Sequence, residues 1–195
     1  MGKILQFSTK QRSKFGLERV KHERDNANQT SLFSSGSGQI LTLPSHLGSF
    51  AEALLLDERN DNRAEKLYRE AVAEGDHVSD AYCNLGIIES KAGRTAKAFD
   101  CFTKALEYDP RHFEAHYNLG NLYFEADNLR LAKMHYELAA EIRSDFPSLH
   151  FNIGLVLALM GERKAAITAF DKYRLLSPED DHRTVDNLIC KLNKS

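Results

Sequence analysis

From about residue 45 onward, apolar residues recur at helical spacing in paired stretches, each pair divided by a short polar turn. Between 113 and 146, Leu119, Leu122, Tyr123 and Ala126 make one stripe, and Leu131, Met134, His135, Leu138 and Ala139 make the next. Asp127-Asn128 separates them, and Gly93 and Gly161 stand at the matching places of the flanking stretches. All of these suit a helix end that needs a positive φ. The pattern predicts helix–turn–helix hairpins, one after another.

The hairpins keep a fixed period. Asn84, Asn118 and Asn152 stand thirty-four residues apart inside "YCNLG", "HYNLG" and "HFNIG". With units set at 79–112, 113–146 and 147–180, the eighth place is Gly86, Gly120 and Gly154, and the twentieth is Ala98, Ala132 and Ala166. The twenty-fourth is Phe102, Tyr136 and Phe170, and the twenty-seventh Ala105, Ala139 and Tyr173. Pro110 and Pro178 close the second and fourth units, with Ser144 in the third. Small residues at eight and twenty let two helix axes approach closely, and the aromatic at twenty-four fills the wedge beside them.

A period of 34 with Gly, Ala, aromatic, Ala and Pro at these places resembles the tetratricopeptide repeat. The resemblance implies an all-α, right-handed superhelical array of about four hairpins over 45–180. Units 79–112, 113–146 and 147–180 follow a degenerate one at 45–78. In that first unit Ala64, Tyr68 and Ala71 keep the register, but Glu52 falls where Gly should be. Sliding the first helix by one puts Leu47, Phe50, Ala51 and Leu54 in the apolar and small places, with one extra residue in the turn "DERND". After the fourth unit, Ser177-Pro178-Glu179-Asp180 reads as a capping box. Val185, Leu188, Ile189 and Leu192 then form the stripe of a capping helix within 181–195, which a stacked array needs over its last apolar face.

Residues 1–44 differ in kind. The stretch "DNANQTSLFSSGSGQ" has a linker's composition, and Lys3, Lys10, Arg12, Lys14, Arg19, Lys21 and Arg24 outnumber Glu18, Glu23 and Asp25 before it. A short helix over 10–25 is an option, although Phe15, Leu17 and Val20 do not line one face well. The arm reads as a solvated tail, free or folded back on the acidic repeat body. Its charge also offers contact with nucleic acid, an anionic membrane surface or an acidic partner. The chain as a whole, at net charge -2 over 195 residues, is not basic.

Chemistry is sparse. Cys83, Cys101 and Cys190 are an odd number without C-x-x-C spacing, which fits reduced thiols and neither a disulfide framework nor a zinc site. The N-terminus is too short in apolar residues for a signal peptide, Gln6 breaks the myristoylation pattern, and no window is apolar enough for a membrane helix. A cytoplasmic location is expected, which leaves the sequons at Asn28 and Asn193 without meaning. His112 and His116 are spaced like a metal pair, but His112 falls in the turn between repeats and no third ligand is implied. His116 and His150 share place four and read as semi-buried packing. Glu and Lys are spread as solvated helix faces require. No catalytic residue, cofactor or metal is expected.

In the family that the repeat resembles, the first helix of each hairpin lines a concave groove that holds partners. Carried over by place, Asn84, Ile87, Tyr117, Asn118, Asn121, Phe124, Phe151, Asn152 and Leu155 are the partner-binding residues. The recurring Asn has two readings: a ladder that pairs with the main chain of an extended peptide, or a local hydrogen bond between adjacent helices. Tyr117, Phe124, Phe151 and Leu155 form an apolar patch that anchors a side chain, serves a second copy, or packs against the arm or a neighbouring hairpin. Asp80, Glu114 and Glu125 favour a basic partner. The carboxylate clamp of chaperone-tail binders is not kept: its places read Cys83, Ile87, Asn118, Ser148 and Asn152, of which only Asn118 matches. The expected function is protein or peptide binding without catalysis, with an adaptor whose basic arm holds nucleic acid or membrane as the alternative.

Overall fold

The computed structural model describes residues 17–19 and 48–194. Among these residues there are nine helices and no strand: α1 (Ser49–Glu58), α2 (Arg63–Glu74), α3 (Val78–Lys91), α4 (Thr95–Tyr108), α5 (Phe113–Glu125), α6 (Leu129–Ile142), α7 (Pro147–Leu159), α8 (Arg163–Leu176) and α9 (Arg183–Lys194). Each helix packs first on its hairpin partner and then on the next hairpin, and α3 also touches α5. The result is an all-α repeat array.

The wedge that holds each hairpin together is visible at its glycine. A Cβ built on Gly86 would lie 2.7 Å from the Phe102 ring, one on Gly120 2.4 Å from Tyr136, and one on Gly154 2.5 Å from Phe170. Those distances are inside van der Waals contact, so the aromatic occupies the space that a side chain at place eight would need. Gly93, Asp127 and Gly161 take φ of 73°, 58° and 81°, which lets α3, α5 and α7 end and the next helix start three residues later.

The first hairpin departs from this frame. Its turn, residues 59–62, is four residues where the others have three, and Asn60 carries the positive φ. Phe50 and Ala53 are the buried apolar residues of α1, whereas Ala51 and Leu54 are half-buried. Leu47 lies outside the described residues.

Two corrections concern the ends of helices and their charges. The capping box at Ser177–Asp180 does not start a helix, because Ser177 turns its hydroxyl back to the Tyr173 carbonyl (2.7 Å) and the Tyr173 hydroxyl takes the Asp180 carboxylate (2.9 Å). Helix α9 begins at Arg183 instead and buries Val185, Leu188 and Leu192 against α8. Glu89 is not solvated: it is buried between α2, α3 and α4, where Arg94 and Arg69 close over its carboxylate. The hydrogen bond from Arg94 holds it below the usual carboxylate range.

Candidate functional groove

Helices α1, α3, α5 and α7 carry the places assigned to the groove, and the three recurring asparagines do different things there. All three are buried, at 0%, 0% and 6% exposure for Asn84, Asn118 and Asn152. Asn84 donates to the Tyr68 hydroxyl of the preceding hairpin at 3.2 Å. Asn152 donates to the Tyr117 hydroxyl at 3.2 Å and to Asn121 Oδ1 at 3.0 Å, and Tyr136 donates to the same Asn121 oxygen at 2.7 Å. These two asparagines therefore knit adjacent helices.

Asn118 is different because of what stands sixteen residues before it. Tyr68 and Tyr136 precede Asn84 and Asn152 by that interval, but Phe102 precedes Asn118 and has no hydroxyl to offer. Its amide meets only the weak Cys83 sulfur within the array, at 3.8 Å. Both ends of the amide are turned to a main chain: Glu18 N–H donates to Asn118 Oδ1 at 2.8 Å, and Asn118 Nδ2 donates to the Glu18 carbonyl at 2.8 Å. One residue's main chain is gripped by its donor and its acceptor together.

The gripped segment, Leu17–Glu18–Arg19, is not helical, unlike the option drawn for 10–25; the rest of that range lies outside the described residues. Leu17 packs against the apolar cluster of the N-terminal half, which includes Cys83 and Ile87. Arg19 reaches the last turn of α1, where its Nη2 lies 2.9 Å from Asp57 Oδ1 and its Nη1 donates to the Asp57 carbonyl at 3.1 Å. A carboxylate and the negative end of a helix both favour a cation at this point. The Tyr68 hydroxyl supports the same carboxylate from 3.4 Å. Nearby, Lys91 is held below the usual lysine range by burial and then by the charge of Arg19.

Beyond Asn118 the groove is aromatic. Phe151 lies edge-on to Phe170 (5.7 Å between centroids) and Tyr173 (5.4 Å) of its own hairpin. Phe124, Phe151 and Leu155 are all buried in the folded chain, where an exposed patch was one expectation. Burial also pushes the Tyr117 and Tyr136 phenols well up, so both stay neutral hydroxyls. One turn along α5 from Asn118, the amide nitrogen of Asn121 is buried and meets no acceptor among the described residues.

The charged residues expected at the rim are partly spent inside the array. Asp80 lies 3.0 Å from His112 Nε2, and Glu114 lies 3.4 Å from Arg143. His112 is the N-cap of α5, accepting from Ala115 N–H at 3.2 Å through Nδ1. His116 and His150 point their Nε2 at the carbonyls of Pro110 and Ser144 (3.1 and 2.7 Å), and the described residues hold no group of three or more metal-ligating side chains. Sequence reasoning missed Asp57, Glu18 and Arg19. The signal for Asp57 was an acid at the last turn of a helix, in the very turn "DERND" that broke the register.

Comparison with known proteins points the same way as the hairpin geometry. Residues 79–112 and 101–134 each match a family described as "Tetratricopeptide repeat". Protein O-mannosyl-transferase TMTC3 of Homo sapiens is 30% identical over 138 residues, 69% of this chain and 15% of that protein. Tetratricopeptide repeat protein 8 of Mus musculus is 28% identical over 119 residues, 61% of this chain and 23% of that protein. The chain thus spans under a quarter of either relative's length. Among solved structures, YrrB, described as a TPR protein with an unusual peptide-binding site, superposes with a TM-score of 0.59 at 24% identity over 67% of this chain and 68% of its own. The first TPR of Spaghetti (RPAP3), bound to an HSP90 peptide, gives 0.55 at 20% identity over 60% and 90%. These structural likenesses are likenesses of fold. Taken with the matched repeats, the constant period and the glycine–aromatic wedge in three successive hairpins, they make the chain a tetratricopeptide repeat protein.

Proposed function

We propose that the chain is a non-enzymatic binding module whose concave groove holds an extended segment of a partner protein. The observation that carries this reading is the Asn118 amide, which pairs with both main-chain groups of an extended residue at 2.8 Å each. Such a contact reads backbone and is indifferent to side chain, so it suits any extended strand. Selectivity comes from the flanks, with Ile87 on one side and Tyr117, Asn121 and Phe124 on the other. The peptide-binding site ascribed to YrrB and the peptide bound to Spaghetti lend support for a peptide partner in a groove of this fold. An acidic chaperone tail is disfavoured, because the places that would carry the basic residues of its clamp hold Cys83, Ser148 and Asn152.

The alternative, a basic arm that binds nucleic acid or membrane, has less support. Its one basic residue among the described residues, Arg19, is spent on Asp57.

The reading is tested by panning a display library of random dodecapeptides on the full chain and re-testing winners on Asn118→Ala and, as a control on an outer helix, Lys104→Ala. Winners should lose binding on Asn118→Ala and keep it on Lys104→Ala. Winners indifferent to Asn118 would sink the reading. The Asn118 substitution is used alone because Asn84 and Asn152 hold helices together, and their loss would confuse stability with binding.

A further inference from the structure

The residues at the groove come from far apart in the chain: Glu18 meets a side chain one hundred residues away, and Arg19 one thirty-eight residues away. Three successive residues make three chemically distinct contacts. Leu17 enters an apolar cluster, Glu18 pairs through its backbone, and Arg19 presents its guanidinium to a carboxylate and a carbonyl of Asp57. Asp57 is 6% exposed with the arginine in place. A carboxylate so enclosed needs a cation, because its remaining partner is the Tyr68 hydroxyl at 3.4 Å. The bidentate fork of arginine answers both the carboxylate and the helix-terminal carbonyl, as the single ammonium of lysine would not. Around Arg19 a cavity of about 390 Å³ remains, lined by Asp57, Asp61, Glu65, Ile88, Lys91 and Arg94 among others, so the site is roomier than the side chain now in it.

We propose that the groove between α1 and α5 is a recognition site for an extended apolar–x–arginine segment, and that Leu17–Glu18–Arg19 is its intramolecular occupant, which an external segment of the same chemistry displaces. This rests on the groove reading above and adds to it the arginine subsite at Asp57 and the competitor. Tethering makes the segment a strong competitor: a connection on the order of thirty residues to α1 gives an effective concentration near the millimolar range. Two buried main-chain hydrogen bonds and a half-buried ion pair then keep the site occupied in cis, weakening external binding by roughly 30- to 150-fold. The groove is gated by the sequence of its own arm.

The test uses the full chain and a fluorescein-labelled peptide of residues 10–25 added in trans, followed by fluorescence anisotropy. Two variants release the arm by different means: Arg19→Glu sets an acid against Asp57, and Glu18→Pro removes the N–H that Asn118 accepts. Both are checked for an unchanged melting profile. The expected result is weak binding to the wild-type chain, at least tenfold tighter binding to both variants, and loss of binding when the peptide itself carries Arg19→Glu. Equal affinity for wild type and both variants would overturn the competitor. Equal affinity of the wild-type and Arg19→Glu peptides would overturn the arginine subsite. Adding Asn118→Ala to the Arg19→Glu chain judges the groove separately: unchanged peptide affinity there would overturn the groove reading itself. A wild-type dimer that Arg19→Glu dissolves would show the arm to serve a second copy, which also overturns the intramolecular assignment.

Discussion

Asn118→Ala removes a side chain that is wholly buried and whose two amide ends both face the Glu18 peptide group, at 2.8 Å each. Each such hydrogen bond contributes about 1 kcal/mol net, and main-chain groups left facing a truncated, apolar site lose somewhat more than that. The expected cost to arm docking is therefore about 2–3 kcal/mol, a factor of roughly 30 to 150 in the closed-to-open ratio. The ion pair of Arg19 with Asp57 survives the substitution and holds part of the docking. Amide hydrogen exchange at Glu18, read residue by residue by NMR, measures that ratio directly, since this N–H is protected only while Asn118 accepts it. Protection at Glu18 should fall by the stated factor while the amides of α4 and α6 keep theirs. Asn84→Ala is the contrast: it loses the 3.2 Å bond to Tyr68, costs about 1 kcal/mol of fold stability, and leaves Glu18 protected. A Glu18 amide that exchanges at the unstructured rate in the wild type, or that ignores Asn118→Ala, would refute the reasoning.

Other outcomes follow from the same geometry. Phe102→Tyr places a hydroxyl where Tyr68 and Tyr136 carry theirs, so Asn118 should turn to it and Glu18 protection should drop at least fivefold with no loss in melting temperature; unaltered protection would contradict the place-twenty-four explanation. Gly120→Ala forces a Cβ to within 2.4 Å of the Tyr136 ring. It should cost about 3 kcal/mol and lower Tm by several degrees. Gly93→Ala meets no atom within 4 Å but sits at φ 73°, and should cost only about 1 kcal/mol by the same melt. Burial holds His135 down to about 4 and His116 below its ordinary value, the two rings meeting Nδ1 to Nδ1 at 3.1 Å. Folding therefore excludes protons that the unfolded chain takes up below about 6.5, so this contribution is fully present above that pH and is lost as pH falls toward 4. Denaturant midpoints should show a loss of about 2 kcal/mol across that window, and His135→Gln should flatten it.

Much of the fold was legible because it repeats. Gly86, Gly120 and Gly154 with their partners Phe102, Tyr136 and Phe170 sit at constant spacing, and a steric rule applied three times in register leaves little freedom. Where the period breaks, legibility falls with it. The first hairpin lengthens its turn by one residue, and the linker to α9 uses Ser177 and Asp180 to close on Tyr173, a tertiary contact that outranks the local capping signal. The groove was harder for a different reason. Asn84, Asn118 and Asn152 are identical by place, yet Phe102 in place of a tyrosine sixteen residues upstream, with Cys83 and Ile87 where Asn152 finds Tyr117 and Asn121, separates two helix-knitting amides from one that grips a strand. Asp57 and Arg19 meet across thirty-eight residues without any motif, and such a pairing is written in the folded geometry alone.

The central claim is that the concave groove, at Asn118, is where an extended protein segment binds. It is tested most directly by titrating the peptide of residues 10–25 into isotope-labelled full chain bearing Arg19→Glu and following backbone and side-chain amide shifts. The account predicts that the Asn118 side-chain amide moves most, followed by Asn121, Asp57 and neighbouring positions on α1, α3 and α5, with α4, α6 and α8 nearly still. Shifts confined to those outer helices, with the Asn118 amide unmoved at saturation, would contradict it.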